Sequence, residues 1–166
     1  MAHYDTLTSL PNRALLKDRF ILALAHARCK KEALAVMFID LDLFKHVNDT
    51  FGHDAGDQLL QGIASRLLDC VRESDTVSRL GGDEFTILLP EIGETENAAM
   101  LAEKIIEVIK QPLTVGSNKL SITASIGIAF FPNDGEDADT LLKNADIVMY
   151  RAKEKGRNNY QFYATP

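Results

Sequence analysis

Residues Ala33 to Ile39 form an unbroken apolar run that stops abruptly at Asp40-Leu41-Asp42. A strand sends successive side chains to opposite faces, so a strand without polar positions must be covered on both sides. The run is far too short to span a membrane. It predicts a central strand with packed layers above and below. The rest of the chain supplies those layers. Leu15, Leu16, Phe20, Ile21, Leu24 and Ala25 recur at helical spacing as far as about Cys29, behind a Pro11 suited to a first helical turn. Leu43 to Gly56 reads as short helical turns with a loop. Leu59, Leu60, Ile63, Ala64, Leu67, Leu68 and Val71 predict an amphipathic helix, and Ala98, Leu101, Ala102, Ile105, Ile106 and Ile109 another, closed by Pro112. Leu141, Leu142, Ala145, Val148, Met149 and Ala152 predict a last helix with Gly156 at its C-cap.

Two β-type runs, Thr76-Val77-Ser78 and Phe85-Thr86-Ile87-Leu88-Leu89, flank Arg79-Leu80-Gly81-Gly82-Asp83-Glu84. Gly-Gly between such runs signals a hairpin, because a tight primed turn needs positive φ. The expectation is a turn centred on Gly81-Gly82, with Asp83 starting the next strand. Leu120, Ile122, Ala124, Ile126, Ile128 and Phe130 alternate with small or polar residues, the pattern of one half-buried strand. Tyr160 to Tyr163 reads as a final edge strand. The order is helix, strand, helix, hairpin, helix, strand, helix, strand. That order predicts an α+β fold, an α/β sandwich with a mixed central sheet flanked by helices. At 166 residues, 1–166 reads as a single domain.

A net charge of -6 argues against a protein that grips a nucleic-acid polymer. It leaves open a nucleotide held through metal ions, which require carboxylates. Cys29 and Cys70 are far apart and form no CxxC, so neither a zinc site nor a disulfide framework is expected, and a reduced cytosolic setting fits. His3, His26, His46 and His53 show no metal-ligand spacing with them. The Met-Ala start carries no signal-peptide pattern.

Asp40 closes the buried strand and Asp83 follows the hairpin turn. A charge at the end of a buried strand is costly unless it is paired or bound to metal. If the hairpin lies beside the Asp40 strand, the two carboxylates converge as hard oxygen ligands for Mg²⁺ and a nucleotide phosphate. Strand-terminal acids in unrelated loops account for the spacing equally well. Taken alone, Asn48 and Asp57 read as turn and N-cap residues. Lys153 and Arg157 read as a basic helix C-terminus, and Arg72 with Asp75 as a solvated surface pair.

The chain resembles the GGDEF family, the diguanylate cyclases, in five blocks. These are Asp5-Thr6-Leu7-Thr8-Ser9-Leu10-Pro11-Asn12-Arg13; Asp40 through Asp49 with Phe51 through Asp57; Arg79 through Phe85; Ser125 through Ala129; and Ala145 through Asn158. They stand in order over essentially the whole chain. The resemblance implies a fold like that of nucleotidyl cyclases and polymerase palm domains. It implies condensation of two GTP into cyclic di-GMP and two pyrophosphates, in a homodimer where each 3′-hydroxyl attacks the partner's α-phosphate. It also implies Mg²⁺ or Mn²⁺, two per active site, on Asp40, the Leu41 carbonyl, Asp83 and Glu84. Asp40, Asp83 and Glu84 would carry catalysis, Glu84 as metal ligand or as activator of the 3′-hydroxyl.

For the substrate, the resemblance implies close backbone approach at Gly81 and Gly82, and phosphate contacts from the Leu43 and Phe44 N–H groups. Lys153 and Arg157 would hold the triphosphate from one helical face if the helix continues that far. Asn48 and Asp57 would read guanine, whose N1–H and exocyclic amine a carboxylate accepts and adenine lacks. His53 lies among these substrate positions, with a structural role expected. Arg72 and Asp75 resemble a product-inhibition site, completed by a second arginine that the sequence does not locate. The expectation is an active, GTP-selective cyclase; the alternative is a catalytically silent GGDEF domain that binds GTP or cyclic di-GMP as a regulatory module. A bacterial cytoplasmic setting follows, without membrane contact by the domain itself. The segment reads as excised from a longer sensor protein, whose other parts could anchor it to a membrane.

Overall fold

The computed structural model describes residues 3–164; Met1 and Ala2, read above for a leader, lie outside them, as do Thr165 and Pro166. The elements are α1 (Arg13–Lys30), β1 (Leu34–Leu41), α2 (Phe44–Phe51), α3 (His53–Cys70), β2 (Thr76–Gly81), β3 (Glu84–Leu89), α4 (Thr95–Lys110), β4 (Leu113–Val115), β5 (Asn118–Leu120), β6 (Ala124–Phe131), α5 (Ala138–Glu154) and β7 (Asn159–Phe162).

β1 is the middle strand of a five-stranded sheet ordered β2-β3-β1-β6-β7. It pairs antiparallel with β3 and with β6, and β7 joins β6 in parallel at the edge. The sheet is therefore mixed, with helices on both faces. Every residue of β1 is buried. Alternation along β1 divides the core in two. Ala35, Met37, Ile39 and Leu41 pack with α3 and α4, whereas Leu34, Val36 and Phe38 pack with α1 and α5. Asp40 has the parity of the second set, so its side chain belongs to the α1/α5 face.

Three expectations are corrected. The stretch 120–130 is not one half-buried strand. It contains the end of a small hairpin, β4 with β5, and then β6, which is buried at all eight positions. The small residues of β6 do not face water; they let α5 lie close. A Cβ at Gly127 would fall 2.1 Å from the Ala145 carbonyl oxygen and 2.3 Å from the Met149 nitrogen, so only glycine permits this packing. Second, Gly81 pairs with Glu84, which makes Gly82-Asp83 the turn and Glu84 the first residue of β3. A register shift between Arg79 and Gly81 absorbs the extra residue. Third, α5 ends at Glu154. Gly156 N–H donates to the Lys153 carbonyl at 3.2 Å and Arg157 N–H to the Ala152 carbonyl at 3.1 Å, a Schellman closure. Arg157 therefore leaves the helix in a left-handed conformation, φ 65°, and does not share a helical face with Lys153.

Candidate active site

The site is built where β1 and the β2–β3 turn end together. In the register, Asp40 lies directly opposite Glu84. Cross-strand partners project to the same face, so both carboxylates enter the layer between the sheet and the α1/α5 pair. Asp83, in the turn, comes in from the side. The Leu41 N–H donates to the Asp83 carbonyl at 3.2 Å, tying the two strand ends to each other. From α5, Lys153 Nζ reaches Asp40 Oδ2 at 2.6 Å.

The turn is held from behind. Arg79 Nε donates to the Gly82 carbonyl at 3.0 Å, and its Nη1 meets the two carboxylate oxygens of Asp5 at 2.9 and 3.1 Å. Asp5 also accepts from the Thr8 N–H and hydroxyl. These bonds hold its carboxyl below the usual range despite partial burial. The chain's opening turn is thus a brace for the acidic hairpin.

The electrostatics fit a cation site. Burial pushes the Asp40 carboxyl up to about 6; the Lys153 hydrogen bond opposes this, and the adjacent Asp83 carboxyl adds to it. Glu84 is also raised, by burial first and then by the charges of Asp40 and Asp146. Asp146 is raised by burial and by Asp40, with Arg13 and Lys153 opposing. Asp40 Oδ1 is buried and has no hydrogen-bond partner among the described residues. A buried carboxylate oxygen without a donor, facing further carboxylates, suits a divalent cation with hard-oxygen preference. Asp83 and Glu84 are the carboxylates beside Asp40, although among the described residues only His26, Glu32 and Glu91 bring three ligand atoms within 4.8 Å of one another.

The family model described as "Diguanylate cyclase, GGDEF domain" matches residues 2–159. The chain belongs to the GGDEF family. It is 48% identical over 98% of its length to the bifunctional diguanylate cyclase/cyclic di-GMP phosphodiesterase MucR of Pseudomonas aeruginosa, of which it covers 24%. It is 42% identical over 99% of its length to the cyclic di-GMP phosphodiesterase NbdA of the same organism, of which it covers 21%. The chain therefore spans about a quarter of the length of these curated relatives. Among solved structures, the isolated GGDEF domain of TpbB from P. aeruginosa superposes with a TM-score of 0.95 at 42% identity, covering 98% of this chain and 95% of that one.

In this GGDEF domain the other expected site residues fall as follows. Leu43 precedes α2 in a left-handed conformation, φ 57°, and is exposed, while Phe44 is buried. The His46 N–H donates to the Leu43 carbonyl at 3.0 Å, and the N–H groups of Phe44 and Lys45 before it have no intrahelical acceptor, which leaves them for a ligand or water. Asn48 on α2 lies against Gly56 of α3, the residue before Asp57. A Cβ at Gly56 would fall 1.9 Å from Asn48 Oδ1, an atom that is buried without a partner. Asp57 is exposed, and His53 begins α3, exposed as well. Gly81 and Gly82 both have positive φ, 148° and 48°.

Arg72 and Asp75 lie away from this cluster and are more than a solvated pair. The Asp75 side chain is only 2% exposed, and Arg72 Nη2 meets its Oδ1 at 2.8 Å and the Pro90 carbonyl at 2.7 Å. They border a cavity of about 220 Å³ that includes Leu89, Asn97 and Leu101. Among the described residues, no helix is long and apolar enough to cross a membrane.

Sequence reasoning missed Asp146, Arg13 and Asp42. Asp146 stands two helical turns before Lys153, a signal available from spacing. Asp42 is 4% exposed and accepts from Thr123, Ser125 and the Asn158 N–H. No local pattern pairs it with residues more than eighty positions away.

Proposed function

We propose that this domain is a diguanylate cyclase that condenses two GTP into cyclic di-GMP with release of two pyrophosphates. The observation that carries the reading is Asp40 at a strand end opposite Glu84 and beside Asp83, with Lys153 bonded to it and its Oδ1 without a donor among the described residues.

Asp40 and Asp83, with the Leu41 carbonyl, would hold Mg²⁺ or Mn²⁺, two per site, which would supply polarisation of the phosphoryl group and a lowered pKa at the attacking hydroxyl. Lys153 swings from Asp40 to the triphosphate, and Arg157 grips it from the turn beyond α5. The open N–H groups at Leu43 and Phe44 bind phosphate oxygens. Asn48 and Asp57 hold guanine, with Asp57 accepting from N1–H and the exocyclic amine. Glu84, with its raised pKa, is suited to take the 3′-hydroxyl proton of the partner's GTP or to complete the metal shell. One site holds one GTP, so turnover needs two domains face to face. The product binds at Arg72 and Asp75 and restrains the enzyme. The setting is the bacterial cytoplasm, and the domain joins further modules in a longer chain.

A second reading is a silent GGDEF domain. NbdA, named only as a phosphodiesterase, contains a region 42% identical to this chain. Against it stands the retention here of the acidic cluster together with Lys153 and Arg157.

The test is incubation at high protein concentration, with dimerisation enforced by a fused coiled coil, in GTP and Mg²⁺. Chromatographic separation should show cyclic di-GMP and pyrophosphate. GTP binding without product under these conditions would establish the silent reading instead.

A further inference from the structure

We infer that Asp42 is a positioning residue that locks the turn carrying Arg157 to the end of the strand carrying Asp40. The inference rests on the proposed GTP site and assigns a role to a side chain that contacts neither metal nor nucleotide in that proposal.

Asp42 lies just past β1, and its carboxylate is turned inward. Oδ1 accepts from the Ser125 hydroxyl at 2.6 Å. Oδ2 accepts from the Thr123 hydroxyl at 2.7 Å and from the Asn158 N–H at 3.0 Å. The Asp42 N–H donates to the Thr123 carbonyl at 2.8 Å, so backbone and side chain hold the same partner. A carboxylate this buried requires donors on both oxygens, and here it has them.

The third donor carries the functional weight. Asn158 follows Arg157, and both stand in the left-handed region, φ 51° and 65°. Two successive non-glycine residues rarely hold that conformation unless the surroundings impose it. Asn159 supplies one restraint, its Nδ2 donating to the Ala152 and Arg157 carbonyls at 2.8 Å each. Asp42 supplies the other and links the turn to a different element. Through it, the backbone beside Arg157 is fixed relative to Asp40, two residues back along the chain. Lys153 needs no such aid, because it stands within α5. Arg157, outside the helix, is held by this bond together with its own N–H bond to the Ala152 carbonyl and the Asn159 amide on its carbonyl.

The experiment compares wild type with Asp42→Ala, Asp42→Asn, Arg157→Ala and the Asp42→Ala/Arg157→Ala double variant. Binding of a fluorescent GTP analogue (mant-GTP) is measured beside hydrogen exchange of the ligand-free protein. Asp42→Ala should weaken mant-GTP binding about tenfold and speed exchange over residues 155–159, with β1 and β3 unchanged. Asp42→Asn keeps an acceptor for Asn158, and the Ser125 hydroxyl can turn to accept from its amide. Its binding should stay within about twofold of wild type. In the Arg157→Ala background, Asp42→Ala should cost less than about twofold, because the two act through one contact. A full tenfold loss in that background, or unchanged exchange at 155–159, overturns the inference. If wild type binds no mant-GTP, the nucleotide reading fails, and the exchange result alone decides whether Asp42 holds the turn. Should Asp42→Ala not fold, slower exchange at 155–159 in Asp42→Asn than in Asp42→Ser supports the lock, and equal exchange refutes it.

Discussion

Lys153 Nζ sits 2.6 Å from Asp40 Oδ2, inside the layer between sheet and helix. The contact pairs a carboxylate proposed for metal with a cation proposed for phosphate. On that proposal, the ion pair satisfies two charges in a partly dry site that metal and phosphate would otherwise satisfy. Lys153→Met should raise the KM for GTP about 100-fold and move the Asp40 carboxyl further above about 6, since one of its lowering contacts is gone. Steady-state kinetics and carboxyl titration by NMR report the two effects.

Asp40 also makes a prediction about pH. Its folded pKa lies above its ordinary value of 3.8. Between roughly pH 4 and 6 the folded state therefore holds more protons than the unfolded state. Stability falls as pH rises through that window. Asp40→Asn should flatten the fall and stabilise the protein by about 1–2 kcal/mol at pH 7.5 while abolishing product. Denaturant melts across pH check the first, and nucleotide analysis the second. Metal affinity of the wild type runs the other way, weakening as pH drops through about 6, because the ligand must be ionised.

Asp83→Ala and Glu84→Ala should each lower product formation by at least about 1,000-fold, with a separable cause. If Asp83 is a ligand, its loss weakens Mg²⁺ binding. If Glu84 serves as the base, Glu84→Gln retains metal and mant-GTP binding while turnover fails. Metal titration followed by single-turnover assay distinguishes them.

Much of this was legible beforehand, for physical reasons. The run Ala33 to Ile39 announces a strand buried on both faces, and Asp40 at its end announces a charge that needs a partner. The hairpin is legible from its glycines, but not its centre. One residue of register shift near Leu80 moves the turn from Gly81-Gly82 to Gly82-Asp83. Gly127 and its small neighbours read as a solvent face because helix contact and water both tolerate small residues. The Asp42 and Arg79–Asp5 contacts join segments far apart in sequence, which no local periodicity encodes.

The proposed reading of guanine by Asn48 and Asp57, with Gly56 between them in sequence, carries its own prediction. Asp57→Ala should reduce the preference for GTP over ATP by about 100-fold. Gly56→Ala places a methyl 1.9 Å from Asn48 Oδ1 and forces that side chain aside. Its KM for GTP should rise about tenfold with little change in kcat or melting temperature. Kinetics with both nucleotides decide the point.

The Arg72 prediction concerns control. Arg72→Ala should leave initial rates near wild type and raise the concentration of cyclic di-GMP needed for half-inhibition at least about tenfold. Progress curves with added product measure it. Unchanged inhibition would remove Arg72 from the product site.

Gly127 lies on β6 opposite Phe38 of β1, and it fixes a length. With no side chain between them, α5 rests on the β6 backbone. The lysine that α5 carries then needs only its own extended stem to touch Asp40. A single methyl at position 127 would lift the helix, and the ammonium group would fall short of the carboxylate. The thickness of one residue thus serves as a gauge block for the distance between the Lys153 and Asp40 charges.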